Sequence, residues 1–503
     1  MKNFLNKFLI SIILLLSFTI VYYLNYYNHW SGNLEDFTQV YNSLILNSDY
    51  KAEFHDHPGH SLIYLVSLWL EFLKLINILE ISSFEELKKV KNLEFELNKV
   101  VAFAKMINFV FLSFFLIIFY KHLKNFSKEK NIILIFLLVF ICSSPLLFTV
   151  NVLKAEFLSA ISIFAAFIYL FDSIKKNTVV RKNIFLSGFF FALSLFAKFQ
   201  SIFVFIFLPL LFLYKKKTKV NFDLIKYENK YLLNLFNTLM ILGIFLIYVK
   251  YAKGINIIFL PSIFVFFYLL LTLLNKYFIN SNYFKIIFSN YFLIGFYACV
   301  FFLVILKPFH TNNLSVIVNG LGQASMFIQG DNPYSSDYNS IFKMITKSSE
   351  NLIIILNLYF FNYFLISLIL IFQIILIPFY IISKKFNKLY FIFFTFFIIL
   401  AICFFFSVRP RPNYMIYLSP IIFSSLFILI KDFNKKYLFS TFIFFLIINS
   451  VNVYNYIKVN KYQTSYQRVC VQEFKNRNAY IHWWHKQIDK DFLTRACSKK
   501  TSL

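Results

Sequence analysis

The chain has 503 residues, a formal charge of +27 and a mean hydropathy of +0.67, with 59% of its residues apolar. A soluble chain of this length could bury a large core but would need more polar surface than this, so a soluble globular class is excluded. Nucleic acid is the usual partner of a basic chain. Here, however, the lysines sit in short clusters between apolar blocks of about 18–22 residues, the positive-inside pattern of a polytopic membrane protein, and no nucleic-acid partner is expected.

The first apolar block, 4–24, follows Lys2 and contains Lys7. It is too long for a signal peptide and no small-residue cleavage site follows, so it reads as a retained signal anchor with its N-terminus inside. Further spans are predicted over 101–120, 131–150, 156–173, 184–198, 200–214, 231–249, 255–275, 286–306, 363–383, 389–407, 413–430 and 437–454. The expected fold is an all-α integral membrane protein of about 13 transmembrane helices. Clusters such as Lys121/Lys124/Lys128/Lys130, Lys215/Lys216/Lys217 and Lys384/Lys385/Lys388 mark the cytoplasmic loops. The transmembrane domain then covers 1–454, with long outer loops at about 25–100 and 307–351, and residues 455–503 form a non-cytoplasmic C-terminal segment.

Within the first outer loop, His60 to Leu79 reads as a re-entrant or interfacial helix, and 82–100 as one amphipathic surface helix. The 184–198 and 200–214 pair reads as a short hairpin broken around Lys198 and Gln200. Only 9 glycines are present, so glycine-mediated helix packing cannot be the general mode. The 72 phenylalanines are read as a compositional bias with no cofactor role. No internal repeat is seen, which counts against inverted-repeat transporters. Cys142, Cys299 and Cys403 lie in apolar spans as small core residues; Cys470 and Cys497 share the tail, where a disulfide and two free thiols are both open.

Chemistry-bearing residues collect on the outer side. Glu35 and Asp36 follow the first span, and Asp49, Glu53 and Asp56 come later in the same loop, interleaved with His55, His57 and His60. A carboxylate at the membrane surface can take a proton from an acceptor hydroxyl or amine. His55, Asp56 and His57 offer a metal or acceptor site, because i, i+2 side chains of an extended segment share a side; a divalent metal is left open. Glu156 stands at the mouth of a span beside Lys154, read as an interfacial ion pair or a functional carboxylate. Lys198 lies outside against the positive-inside bias and needs an anionic partner. Arg409 and Arg411 precede Tyr414 and Pro420, and guanidinium forks match phosphate oxygens. Lys307 and His310 are further phosphate candidates. Trp483 and Trp484 suit interfacial anchoring or sugar stacking.

The order of a signal-anchor span, the acidic pair Glu35–Asp36, Tyr41, and then Asp56-His57-Pro58 leading into an apolar helix resembles the first loop of the membrane-embedded C-fold (GT-C) glycosyltransferases. This superfamily includes the dolichyl-phosphate-mannose-protein mannosyltransferase-like and aminoarabinose transferase-like families. Glu156, Lys198 with Pro209, and Arg409 or Arg411 with Tyr414 fit the same layout. The family's His-Pro-Pro is His57-Pro58-Gly59 here. The resemblance implies transfer of a sugar, with inversion, from a polyprenyl-phosphate-linked lipid donor to a glycolipid, lipopolysaccharide or protein acceptor. It also implies a bacterial inner membrane, with the active site facing the periplasm. Asp36 would be the catalytic base, with Glu35 and Glu156 beside it, and Lys198, Arg409, Arg411 and Tyr414 would hold the donor phosphate. A membrane polysaccharide polymerase or ligase and a lipid or sugar transporter are the competing readings.

Overall fold

The computed structural model describes residues 30, 34–50, 59–175, 178–198, 200–207, 290–305, 341–360, 363–407, 414–463, 488 and 490–497. These residues are almost wholly helical. The helices are α1 (Leu34–Leu46), α2 (His60–Leu75), α3 (Phe84–Lys89), α4 (Leu93–Lys105), α5 (Ile107–Leu123), α6 (Lys130–Ile141), α7 (Ser144–Val150), α8 (Ala155–Asp172), α9 (Arg181–Ala197) and α10 (Ser201–Phe207). They continue with α11 (Asn290–Ile305), α12 (Ile341–Phe360), α13 (Phe364–Ile382), α14 (Phe386–Phe406), α15 (Met415–Ile430), α16 (Lys435–Gln463) and α17 (Lys490–Ala496). A two-residue antiparallel hairpin, β1 (Ile174–Lys175) with β2 (Thr178–Val179), turns the chain between α8 and α9.

Among the described residues, four helices are long and apolar enough to cross a bilayer: Leu93–Leu123, Ala155–Asp172, Phe364–Ile382 and Phe386–Phe404. The α6–α7 pair adds a fifth if its two halves form one span. The expected spans 4–24, 231–249 and 255–275 lie outside the described residues. Large apolar side chains stay exposed along α13, α14 and α16, among them Ile371, Ile375, Ile382, Phe393, Phe397, Phe444 and Ile447. Such a belt would be an aggregation hazard in water and is the natural surface toward lipid.

Two sequence expectations are corrected. The predicted single helix over 82–100 is two helices. Ser83 and Glu86 close a capping box at the start of α3, Val90 is extended, and the Asn92 side chain accepts from the Phe95 amide to begin α4. From there α4 runs on into α5 as a 31-residue rod, long and apolar enough to cross a bilayer. The predicted span over 131–150 is two helices bent by 61° at Cys142–Ser143. Pro145 in the first turn of α7 has no amide to offer the preceding helix, which therefore ends before it.

Phenylalanine supplies much of the interior. Phe119 meets Phe140 at 5.4 Å and Phe164 at 5.7 Å, and Phe140 meets Phe423 at 5.2 Å, so α5, α6, α8 and α15 interlock through edge-to-face rings. Glycine acts at one crossing only among the described residues. A Cβ on Gly188 of α9 would fall on the Phe292 carbonyl oxygen, and one on Gly295 of α11 on that of Phe185. The two backbones touch there with no side chain between them.

One end of the bundle carries a small subdomain of α1 to α4 and α17. Trp30 donates through Nε1 to the Ala496 carbonyl (3.3 Å), Phe84 packs on Phe492 (5.5 Å), and Arg495 donates to the carbonyls of Lys88 and Val90. Cys497 is disulfide-bonded, and Cys142, Cys299 and Cys403 are free thiols; Cys470 lies outside the described residues. Partial burial pushes the Glu86 carboxyl up, but the Lys74 ammonium and the Ser82 and Ser83 amides outweigh it, so Glu86 titrates below the usual carboxylate range. A depressed carboxyl stabilises the fold above its unfolded pKa, and that contribution is lost as pH falls through the folded one. Glu86→Gln is therefore expected to remove up to about 1 kcal/mol near neutrality, and less in acid. Thermal melting of both proteins from pH 7 to pH 3 measures it, and equal gaps at both ends would contradict the assignment.

Candidate functional site

The end of the bundle under this subdomain holds a set of paired charges. Asp36 lies in the first turn of α1, where the helix dipole favours an anion. Its Oδ2 is 2.6 Å from Lys105 Nζ, both side chains only 2% exposed, and its Oδ1 accepts from the Leu153 amide at 2.6 Å. Asn108, one turn after Lys105, donates to the Val150 and Val152 carbonyls at 2.9 and 3.1 Å. Together these bonds clamp the α7–α8 turn against the rod of α4 and α5. That turn presents Lys154, whose Nζ is 2.9 Å from Glu35 Oε2.

Glu156 opens α8, and its Oε1 is 3.2 Å from Lys198 Nζ, with side chains 7% and 9% exposed. Lys154 adds to the positive field on Glu156. Lys198 terminates α9 in extended backbone. Beneath the pair, α8 and α9 are stitched by reciprocal bonds: Ser194 Oγ donates to the Ser159 carbonyl (2.7 Å) and Ser159 Oγ to the Ser194 carbonyl (3.1 Å). Small hydroxyl residues let the two helices approach closely enough for Glu156 and Lys198 to meet. From α15, the buried Tyr417 lies in the field of Glu156, and Tyr414, just before α15, packs tilted on Phe406 at 4.9 Å and edge-on to Tyr417 at 6.4 Å.

The structure thus brings together Glu35, Asp36, Glu156 and Lys198, which the sequence singled out, with Tyr414 close by. The sequence reading beside Glu156 is corrected in its partners. Lys154 precedes the helix that Glu156 begins, and it reaches Glu35; Glu156 reaches Lys198, 42 positions further on. Lys105 was missed. Its signal is a cation five residues into a predicted span, which is expensive in hydrocarbon unless paired. His55, Asp56, His57, Arg409 and Arg411 lie outside the described residues, as do Lys307, His310, Trp483 and Trp484. Among the described residues, no group of three or more His, Cys, Asp or Glu side chains gathers as a metal site.

The residue after Pro58 could not itself be a proline. Gly59 has φ of 150°, which proline, fixed near −65°, cannot adopt. A Cβ at Gly59 would make only ordinary contacts with the Gln39 amide and Ala155, so the backbone angle, not space, sets this position.

Three carboxylates and three lysines make the described cluster neutral, each charge matched by a partner. Buried charges survive only in this way. At the other end of α8, about 24 Å away at 1.5 Å per residue, a second polar set closes the bundle. There Asn125 donates to Asp172 (2.9 Å), Lys435 pairs with Glu129 (2.7 Å), and Lys388 pairs with Asp432 (3.0 Å). The loops read as cytoplasmic and those read as outer therefore separate to opposite ends.

The fold and these paired ends define a helical integral membrane protein with a charge-balanced polar centre at one end of its bundle. No protein family, curated protein or solved structure matches the chain.

Proposed function

We propose that the protein is a membrane glycosyltransferase of the C-fold type, moving a sugar from a polyprenyl-phosphate-linked donor to a glycan, lipid or protein acceptor on the non-cytoplasmic side. The observation that carries this reading is the convergence of Glu35, Asp36, Glu156 and Lys198 at one end of the helices. They come from three segments spread over more than 160 residues, and each is marked by its resemblance to that superfamily. The disulfide at Cys497, in the subdomain covering this end, suits an oxidising compartment and supports the outward orientation.

In this reading the acceptor oxygen bonds to the anomeric carbon while the carbon–oxygen bond to the lipid phosphate breaks, inverting that centre. The acceptor's proton passes to a carboxylate. Asp36 is sealed, with both oxygens engaged, and its part is to hold Lys105 and the Leu153 turn in place. Glu35, whose side chain is 42% exposed, is the carboxylate an acceptor can reach. Because the described cluster is neutral, the net positive charge for the donor phosphate is assigned to Arg409 and Arg411, the residues that the resemblance names for it.

The test is transfer by the purified protein in lipid nanodiscs, supplied with labelled polyprenyl-phosphate sugars and extracted cell-envelope lipids. Glu35→Gln, on protein with unchanged elution and melting, is expected to lower turnover by about 10²- to 10⁴-fold, the usual worth of a general base. Full turnover in Glu35→Gln removes the base assignment, and absence of transfer by the wild type from every donor tried removes the enzyme.

A further inference from the structure

The bend between α6 and α7 interrupts the backbone inside the bundle, about 18 Å along α6 from Lys130. Pro145 has no amide for the Ile141 carbonyl, which a continuous helix would bond. The Leu146 and Leu147 amides both go to the Ser143 carbonyl, so the positive end of α7 is largely closed. The negative end of α6 faces the break. Backbone of this kind at membrane depth persists only where its surroundings satisfy it.

Side chains from three helices reach the same level. Phe136, Phe427 and Phe442 meet lower in the bundle, the Phe136 ring 4.9 Å from Phe427 and 5.4 Å from Phe442. Two turns nearer the bend, the same faces of α6, α15 and α16 carry Ser143, Ser419 and Asn449. Between the two levels Phe140 meets Phe423 at 5.2 Å, which keeps α6 and α15 in register. Asn449 Nδ2 donates to the Val139 carbonyl at 3.0 Å, which ties α16 to the last turn of α6.

All three residues are fully buried. Ser143 Oγ, Ser419 Oγ and Asn449 Oδ1 have no hydrogen-bond partner among the described residues. Asn449 has spent a donor on Val139, and its free end is an acceptor. Pro420, beside Ser419, likewise brings no amide to the Ile416 carbonyl. What gathers here is oxygen in excess of donors, and such groups are costly to bury unpaired. No Lys, Arg, Asp or Glu occurs over 131–153, 415–430 or 437–457 to answer it.

We infer that the α6–α7 bend is a binding site for an alkali-metal cation. Ser143 Oγ, Ser419 Oγ, Asn449 Oδ1 and the Ile141 carbonyl supply its oxygens, and the negative end of α6 supplies the field. Hard cations take oxygen ligands, and broken membrane helices coordinate sodium through such carbonyl ends. With no carboxylate in the set, a single positive charge suits it better than a double one. The bound ion fastens the bend from which α7 carries the chain to the Leu153–Lys154 turn. This inference goes beyond the proposed function and does not rest on it.

The test is binding of radiolabelled sodium to the full-length protein in nanodiscs, in N-methylglucamine chloride at constant ionic strength. A separate arm uses labelled rubidium to stand for potassium. Saturable binding is expected in at least one arm, and the arm that binds more tightly names the ion. Ser143→Ala and Ser419→Ala should each weaken it about tenfold. Ser440→Ala, at an exposed position on α16, leaves it unaltered. Melting supplies a second readout. Without alkali cations the two alanine variants should melt no lower than the wild type, because each removes a buried hydroxyl that lacks a partner. Adding the ion should raise the wild-type melting temperature and move theirs far less. A wild type that binds neither label overturns the inference, as do alanine variants that bind like the wild type. Variants that melt lower by the same margin with and without the ion show hydroxyls that serve packing alone, and also overturn it.

Discussion

Asp36→Ala is expected to destabilise the protein by about 3–5 kcal/mol, the largest effect of any single side-chain removal in the polar centre. The substitution leaves the Lys105 ammonium uncompensated among apolar groups, where it is only 2% exposed, and strips the Leu153 amide of its acceptor. Both losses act on the turn that presents Lys154 and Glu156. The effect belongs to the unpaired charge and not to the pair as such. Asp36→Leu combined with Lys105→Met should therefore recover most of the loss, since apolar replacement of a whole buried pair is often neutral. Thermal unfolding of the two singles and the double in detergent gives the interaction energy. A double as unstable as either single would mean that the ion pair itself holds the fold, and one as unstable as their sum would mean that the two side chains do not couple. The same arithmetic warns that inactivity of an Asp36 variant says little about chemistry unless folding is checked first.

Gly188→Val should be the most damaging change away from the charges. Any Cβ at this position meets the Phe292 carbonyl oxygen, and at Gly295 the Phe185 carbonyl oxygen. The obstacle is backbone, so no rotamer change relieves it and the two helices must part. Overpacking a tight contact typically costs about 1–3 kcal/mol, and the rigid partner places this site at or above the upper end. Trimming the neighbouring ring with Phe292→Ala should not rescue Gly188→Val, because the clash is with the carbonyl. A melting temperature restored by that second change would mean the side chain, not the backbone, sets the approach.

Much of the site was legible in the sequence for one reason: charges at the edge of apolar spans are costly, so they announce a partner. Glu156 and Lys198 were marked this way, and they proved to be each other's partner. Who pairs with whom was not legible. Neighbours in sequence such as Lys154 and Glu156 invite pairing, but a residue before a helix and one inside its first turn need not face each other. Lys105 was hidden because a strongly apolar window absorbs one cation without changing its average. The bend at Cys142–Ser143 had a local signal in Ser144-Pro145, yet uniform hydropathy on both sides outweighed it. The Gly188–Gly295 contact could not be read at all, since nothing in either segment says which helix the glycine will meet.

The subdomain over the polar centre is fastened by segments that flank the bundle helices in the sequence. Trp30 reaches Ala496, Arg495 caps the backbone after α3, and Phe492 packs on Phe84. Its closing piece, α17, follows α5 to α16 in the chain and is synthesised after them. The lid over the polar centre therefore closes only once the described helices of the bundle have been made, and until then the buried Asp36–Lys105 side of the bundle has no cover from α17.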